Sequence, residues 1–102
     1  MSFVAINVLT VPEQMRETLE ARFAGRAGEV EKMEGFEAFE LLRPLEGQDR
    51  YLVYTRWDSQ ESFDAWVQSS AFSRGHSQHA SEGPAASDST LWTFSVAESK
   101  SR

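Results

Sequence analysis

At 102 residues, with no Pro-rich or charge-run break before the last few positions, the chain has the length of one domain and can bury only a small core. A net charge of −6 and a pI near 4.8 leave no basic stripe to neutralise phosphates, which argues against nucleic acid and anionic membranes as partners. Without cysteine there is no thiolate nucleophile, thiolate iron ligand, disulfide or cluster site, and the start MSFVAINVL is neither a signal peptide nor a membrane span, so a cytoplasmic location is expected.

Phe3-Val4-Ala5-Ile6-Asn7-Val8-Leu9 is apolar on both parities except at Asn7, the pattern of a strand covered on both faces. Thr10 is placed to cap a helix whose first turn holds Pro12 and Glu13. Met15, Leu19, Phe23, Ala27 and Val30 then recur at helical spacing and predict a helix from about Pro12 to Met33, ended near Gly35. A second strand is expected over Phe36–Arg43, a turn at Pro44 and Glu46-Gly47-Gln48-Asp49, and an aromatic, β-branched third strand over Tyr51–Trp57. Asp58 and Glu61 have capping-box spacing ahead of a short helix with Phe63, Trp66 and Val67 as its buried stripe. The last strand, Thr90–Ala97, alternates Trp92, Phe94 and Val96 against Thr93 and Ser95, which gives a domain over 1–97 and a frayed tail over 98–102. About 20 residues between Gln68 and Ser89 show no clear element, and such lengths in compact domains belong to functional or disordered segments.

The order β-α-β-β-α-β implies an α+β, ferredoxin-like fold, an antiparallel sheet with both helices on one face. Helices cover only one side of such a sheet. The first strand is nevertheless apolar on both faces, and the third sets Leu52 and Tyr54 against Val53 and Trp57. A homodimer packed sheet on sheet with two-fold symmetry, a dimeric α+β barrel, is therefore expected.

Few residues suggest chemistry. Asn7 breaks an apolar strand, and a buried amide without partners costs about 1–3 kcal/mol, so either a backbone or water hydrogen bond or a ligand should compensate it. By alternation its side chain lies either in the helix-covered core or under a dimer partner. Trp66, on the inner stripe of the second helix, has a core role as its ordinary reading. His76 and His79, in a Ser/Gly-rich stretch, read most simply as solvated loop histidines. Two histidines cannot close a structural zinc site without cysteine, whereas an axial imidazole on heme iron needs only one. Arg22 and Arg26, an i, i+4 pair flanking Phe23, are either a solvated face pairing with Glu20 or Glu29, or a cationic rim for the carboxylates of a flat apolar ligand. A Ser77-His76-Asp88 arrangement lacks any nucleophile-elbow or oxyanion signature. A strand amide, a helix tryptophan and a loop imidazole can together line one pocket for a flat, metal-bearing ligand, heme.

In this order, strand Asn7, Glu20-Ala21-Arg22-Phe23-Ala24-Gly25-Arg26, Leu41-Leu42-Arg43-Pro44, Tyr51-Leu52-Val53, Ala65-Trp66 and the downstream histidine pair resemble the antibiotic biosynthesis monooxygenase superfamily. Within it the chain is most similar to the IsdG-type heme-degrading branch and its mycobacterial member, from Val4 to about Val96. The resemblance implies oxygen-dependent heme degradation to iron and a linear tetrapyrrole, with heme as both substrate and cofactor. It makes His76 the proximal iron ligand and Asn7 the distal amide. It presses Trp66 against the porphyrin and places Arg22, Phe23 and Arg26 along the heme pocket. The Trp66-to-histidine spacing is one residue longer than in the mycobacterial member, which leaves His79 as the alternative ligand. Gly25 stands where that member has a histidine implicated in holding a second heme, so this chain should be less able to stack two. An external electron donor, a reductase or small reductant, is required, because no flavin or nicotinamide fingerprint is present. The rival readings are a cofactor-independent monooxygenase of the same superfamily acting on an electron-rich aromatic, and a non-catalytic heme sensor or carrier.

Overall fold

A four-stranded antiparallel sheet organises the computed structural model, which describes residues 2–24, 30–47, 49–69 and 88–101. β1 (Phe3–Thr10) lies between β3 (Arg50–Trp57) and β4 (Asp88–Ser95), and β2 (Phe36–Leu42) sits outside β3. With helices α1 (Arg16–Ala24) and α2 (Gln60–Val67), this is the expected ferredoxin-like order.

The helices begin differently from the sequence expectation. Thr10 does not cap α1, because its backbone is committed to β1 opposite Arg50 and Asp88. Pro12 holds the chain extended at φ −57°, ψ 146°, and Glu13–Met15 then form a 3₁₀ turn closed by Met15 N donating to Pro12 O at 2.8 Å. The single helix expected over 12–33 is thus α1 alone among the described residues, followed by a second 3₁₀ turn at Val30–Lys32. The cap of α2 is Ser59, not Asp58. Its extended backbone lets Oγ accept from Ser62 N at 3.3 Å, which places Ser62 rather than Glu61 where a capping box needs its acid. Asp58 instead braces the cap, accepting from Ser62 Oγ at 2.6 Å and Ser59 Oγ at 3.1 Å. Nor is the expected stripe of α2 buried: Phe63 and Trp66 are half-buried and Val67 is exposed. The last strand ends at Ser95 rather than Ala97, and Val96 N donates to Ser2 O at 2.9 Å beyond it.

The core lies between the helices and one face of the sheet. Leu9, Val11, Leu19 and Tyr51 form its centre, with Met15, Phe23, Leu41 and Val53 packed around them. At the other end of the sheet Trp57 is fully buried, edge-on to Phe36 at 5.6 Å and Phe63 at 6.0 Å, and Phe63 also meets Phe3 at 5.5 Å. A register shift between Phe36 and Ala38 lets Phe36 and Phe39, of opposite parity, share this face. The opposite face carries Val4, Ile6, Val8, Leu52 and Tyr54, together with Leu42, Trp92 and Phe94, which are all exposed.

Gly35 ties β2 to α2. Its φ is +84°, its carbonyl accepts from Asp58 N at 2.8 Å, and a Cβ there would stand 2.2 Å from Ser62 Oγ and 2.4 Å from Asp58 Oδ1. Left-handed backbone strain alone costs about 1–2 kcal/mol for a residue with a Cβ, and the clash falls on Asp58 and Ser62, whose side chains brace the cap of α2. Gly35→Ala is therefore expected to lower stability by at least about 2 kcal/mol, read as a shift of the urea midpoint; an unmoved midpoint would show that the turn can be rebuilt without strain.

Candidate functional site

Cross-strand register decides where Asn7 points. It stands opposite Val53 on β3 and Leu91 on β4, and Val53 in turn stands opposite Leu41 on β2. Leu41 and Val53 pack against the core that α1 covers, so the Asn7 side chain lies on the helix side of the sheet, not on the bare face. Asn7 is half-buried, and none of the described residues hydrogen-bonds to its amide. At its β4 neighbour the row opens to solvent, since Leu91 is 56% exposed. An apolar row with one unpartnered amide and one open end can hold a flat apolar ligand and direct a hydrogen bond at it.

The two helices bring the other candidates to the same side. The Phe23 ring stacks on Phe39 with centroids 6.1 Å apart, and Arg22 precedes it, half-buried, in the last turn of α1. Trp66 is half-buried one turn beyond Phe63, and α2 closes directly behind it, with Ser69 N and Oγ both donating to the Trp66 carbonyl at 3.0 and 2.7 Å. Asn7, Arg22, Phe23 and Trp66 thus share one side of the sheet. Arg26, His76 and His79 lie outside the described residues, as do Gly25 and Ser77.

A polar network beside this surface escaped the sequence reading. Arg43 forks onto Glu20, with Nε donating to Oε2 at 2.8 Å and Nη2 to Oε1 at 2.5 Å, and the Tyr51 hydroxyl donates to the same Oε2. Arg43, foremost, and Tyr51 hold the Glu20 carboxyl at about 2, well below the ordinary 4.5. Burial, with the hydrogen bond to Glu20 second, pushes the Tyr51 phenol up. Glu20 was an expected partner of the nearby arginines; the structure gives it to an arginine 23 positions away. A hollow of about 310 Å³ lies elsewhere, lined by Ser2, Phe3, Gln60, Thr93, Phe94 and Ser95, and none of the described candidate residues, Asn7, Arg22, Phe23 and Trp66, borders it.

Residues 2–78 match the model of the antibiotic biosynthesis monooxygenase family. The chain belongs to this family. It is 43% identical over 96 residues to a Mycobacterium tuberculosis protein named heme oxygenase (mycobilin-producing), covering 94% of this chain and 90% of that one. It is also 35% identical over 77 residues to a Staphylococcus haemolyticus protein named heme oxygenase (staphylobilin-producing), covering 72% of each. The solved structure of the heme-degrader MhuD from Mycobacterium tuberculosis, with two hemes bound in its active site, superposes with a TM-score of 0.80 at 39% identity over 97% of this chain and 99% of that one.

In this member of the family, the Glu20 network sets an acid limit. A carboxyl held below its unfolded value stabilises the fold above that value, and the contribution disappears as pH falls through the folded one. Glu20 therefore supports the fold fully above about pH 4.5 and not at all below about pH 2. Solvent screening at Arg43, whose side chain is 67% exposed, moderates the effect. The stability gap between the parent and Glu20→Gln should be widest near neutrality and narrow between pH 4.5 and 2, as followed by urea midpoints; a gap independent of pH would mean that the ion pair contributes nothing.

Proposed function

We propose that this chain degrades heme in an oxygen-dependent reaction, opening the porphyrin ring to release iron and a linear tetrapyrrole, with heme as both substrate and cofactor. The observation that carries the reading is the Asn7 amide, half-buried, unpartnered among the described residues, in an apolar row on the helix side of the sheet. The names of relatives similar over most of this chain, heme oxygenases, support it.

The residues suit the ligand. Phe23 and Trp66 offer apolar ring surface, and Arg22 with Arg26 supplies cations for the two propionates. His76 would hold the iron, with His79 as the alternative. Bound heme supplies the redox-active centre where oxygen and electrons react. The Asn7 amide would donate a hydrogen bond to oxygen reacting at the bound heme, orienting it without giving up an acidic proton. Trp66, whose backbone carbonyl is held by Ser69 at the end of α2, would press its ring on the porphyrin and bias which edge faces the reacting oxygen. Electrons come from an external donor, a reductase or small reductant. A second copy covers the bare face with its exposed Leu42, Trp92 and Phe94, giving a homodimer, and the protein works in the cytoplasm. None of the described helices is long and apolar enough to cross a membrane.

The test is a hemin titration followed by ascorbate in the presence of catalase. Saturation at one hemin per chain, as Gly25 leads us to expect, then loss of the Soret band and release of chelatable iron, is the expected result. Binding without loss would make the protein a carrier, and no binding would favour a cofactor-independent monooxygenase.

A further inference from the structure

We infer that Glu20 is a positioning residue: by joining α1 to Arg43 and Tyr51 it sets the roll of that helix and thereby how Phe23 and Arg22 meet the ligand, an inference that rests on the heme reading above.

The footing of α1 on the sheet is narrow. Of its nine residues only Leu19 is buried. Leu19 and Phe23, four residues apart, pack along one stripe, which holds the helix down but resists turning about its own axis less than a tie to one side of that stripe does. Glu20 supplies that tie with both carboxylate oxygens engaged, Oε1 by Arg43 and Oε2 by Arg43 and Tyr51 together. Of the two anchors, Tyr51 is the firm one. Tyr51 has no exposed surface and stands on β3 opposite Leu9, two residues along β1 from Asn7. Arg43 follows directly on β2, two residues after Leu41 of the Asn7 row. The clamp thus references α1 to β2 and β3, which carry Leu41 and Val53 of that row.

Arg22 and Phe23 come two and three residues after Glu20, within one helical turn and about 3–5 Å along the axis. A roll of about 20° would carry a side chain standing about 6 Å from the axis through about 2 Å. That exceeds the tolerance of the Phe23–Phe39 stack. Misplacement of a bound reactant by about 1 Å can cost a reaction on the order of 100-fold, and the identity of the attacked meso carbon depends on the same pose.

Glu20→Ala tests this, with Tyr51→Phe as a second variant that keeps the core filled and Glu20→Gln as the conservative rescue. In the ligand-free protein, amide hydrogen exchange should quicken across Arg16–Ala24 in Glu20→Ala while β1 and β3 keep their protection. With hemin bound and ascorbate added, Glu20→Ala and Tyr51→Phe should change the ratio of tetrapyrrole isomers, and Glu20→Ala should slow turnover at least 10-fold. Glu20→Gln, which still offers Tyr51 an acceptor, should recover most of the parent ratio. If the parent degrades hemin but both disrupting variants keep its isomer ratio and its α1 exchange, the clamp has no positioning role. A parent that takes up no hemin would overturn the heme reading and this inference with it.

Discussion

Asn7→Ala is expected to bind hemin as the parent does, one per chain, and to open the ring at least about 100-fold more slowly, the scale seen when one hydrogen-bond donor aimed at a reacting oxygen is removed. Binding should survive because the amide is one polar group among apolar surface, and the axial bond, the ring contacts and the propionate pairs are made by other residues. Turnover should not survive, since no other described side chain of the Leu41–Val53–Asn7–Leu91 row can donate a hydrogen bond. A structural asparagine would behave differently. Asn7 has no hydrogen bond to lose among the described residues, so Asn7→Leu, which replaces an unpartnered amide by an apolar group of similar size, should raise the urea midpoint while it abolishes ring opening. A residue kept for folding would lose stability on that change, and a variant that degraded heme at the parent rate would remove Asn7 from the mechanism.

The strands and their order were legible from sequence because apolar and aromatic periodicity is a local signal: β1, β2 and β3 lie within a residue or two of their expected bounds. The face to which Asn7 belongs was not. A strand apolar on both parities does not say which side the helices cover, and only the pairing of Asn7 with Val53, itself packed under α1, decides it. Helix ends were misjudged where two structures competed for one residue, as when strand pairing took Thr10 from its capping role. The Glu20–Arg43–Tyr51 clamp was missed for a related reason. Pairing by i, i+4 spacing sees only neighbours on one helix, whereas this carboxylate reaches partners 23 and 31 positions away. Its trace in the sequence was an inward-facing tyrosine, a side chain whose hydroxyl needs a partner once buried.

His76→Ala should weaken hemin binding by more than about 100-fold, beyond the 10–100-fold typical of losing a group that merely orients a metal ligand, and should abolish the Soret position of a histidine-ligated heme. His79→Ala should do neither. One axial imidazole on the side of the ring away from Asn7 is all that the iron needs, so one of the two histidines carries the role. Ligation can be separated from folding by adding free imidazole, which should enter the space left in His76→Ala and restore the parent Soret position. Loss confined to His79→Ala would move the axial role three residues along the chain and leave the mechanism intact. Parent-like binding by both single variants and by the double variant would remove histidine ligation, and with it the assignment of Asn7 to the opposite side of the ring.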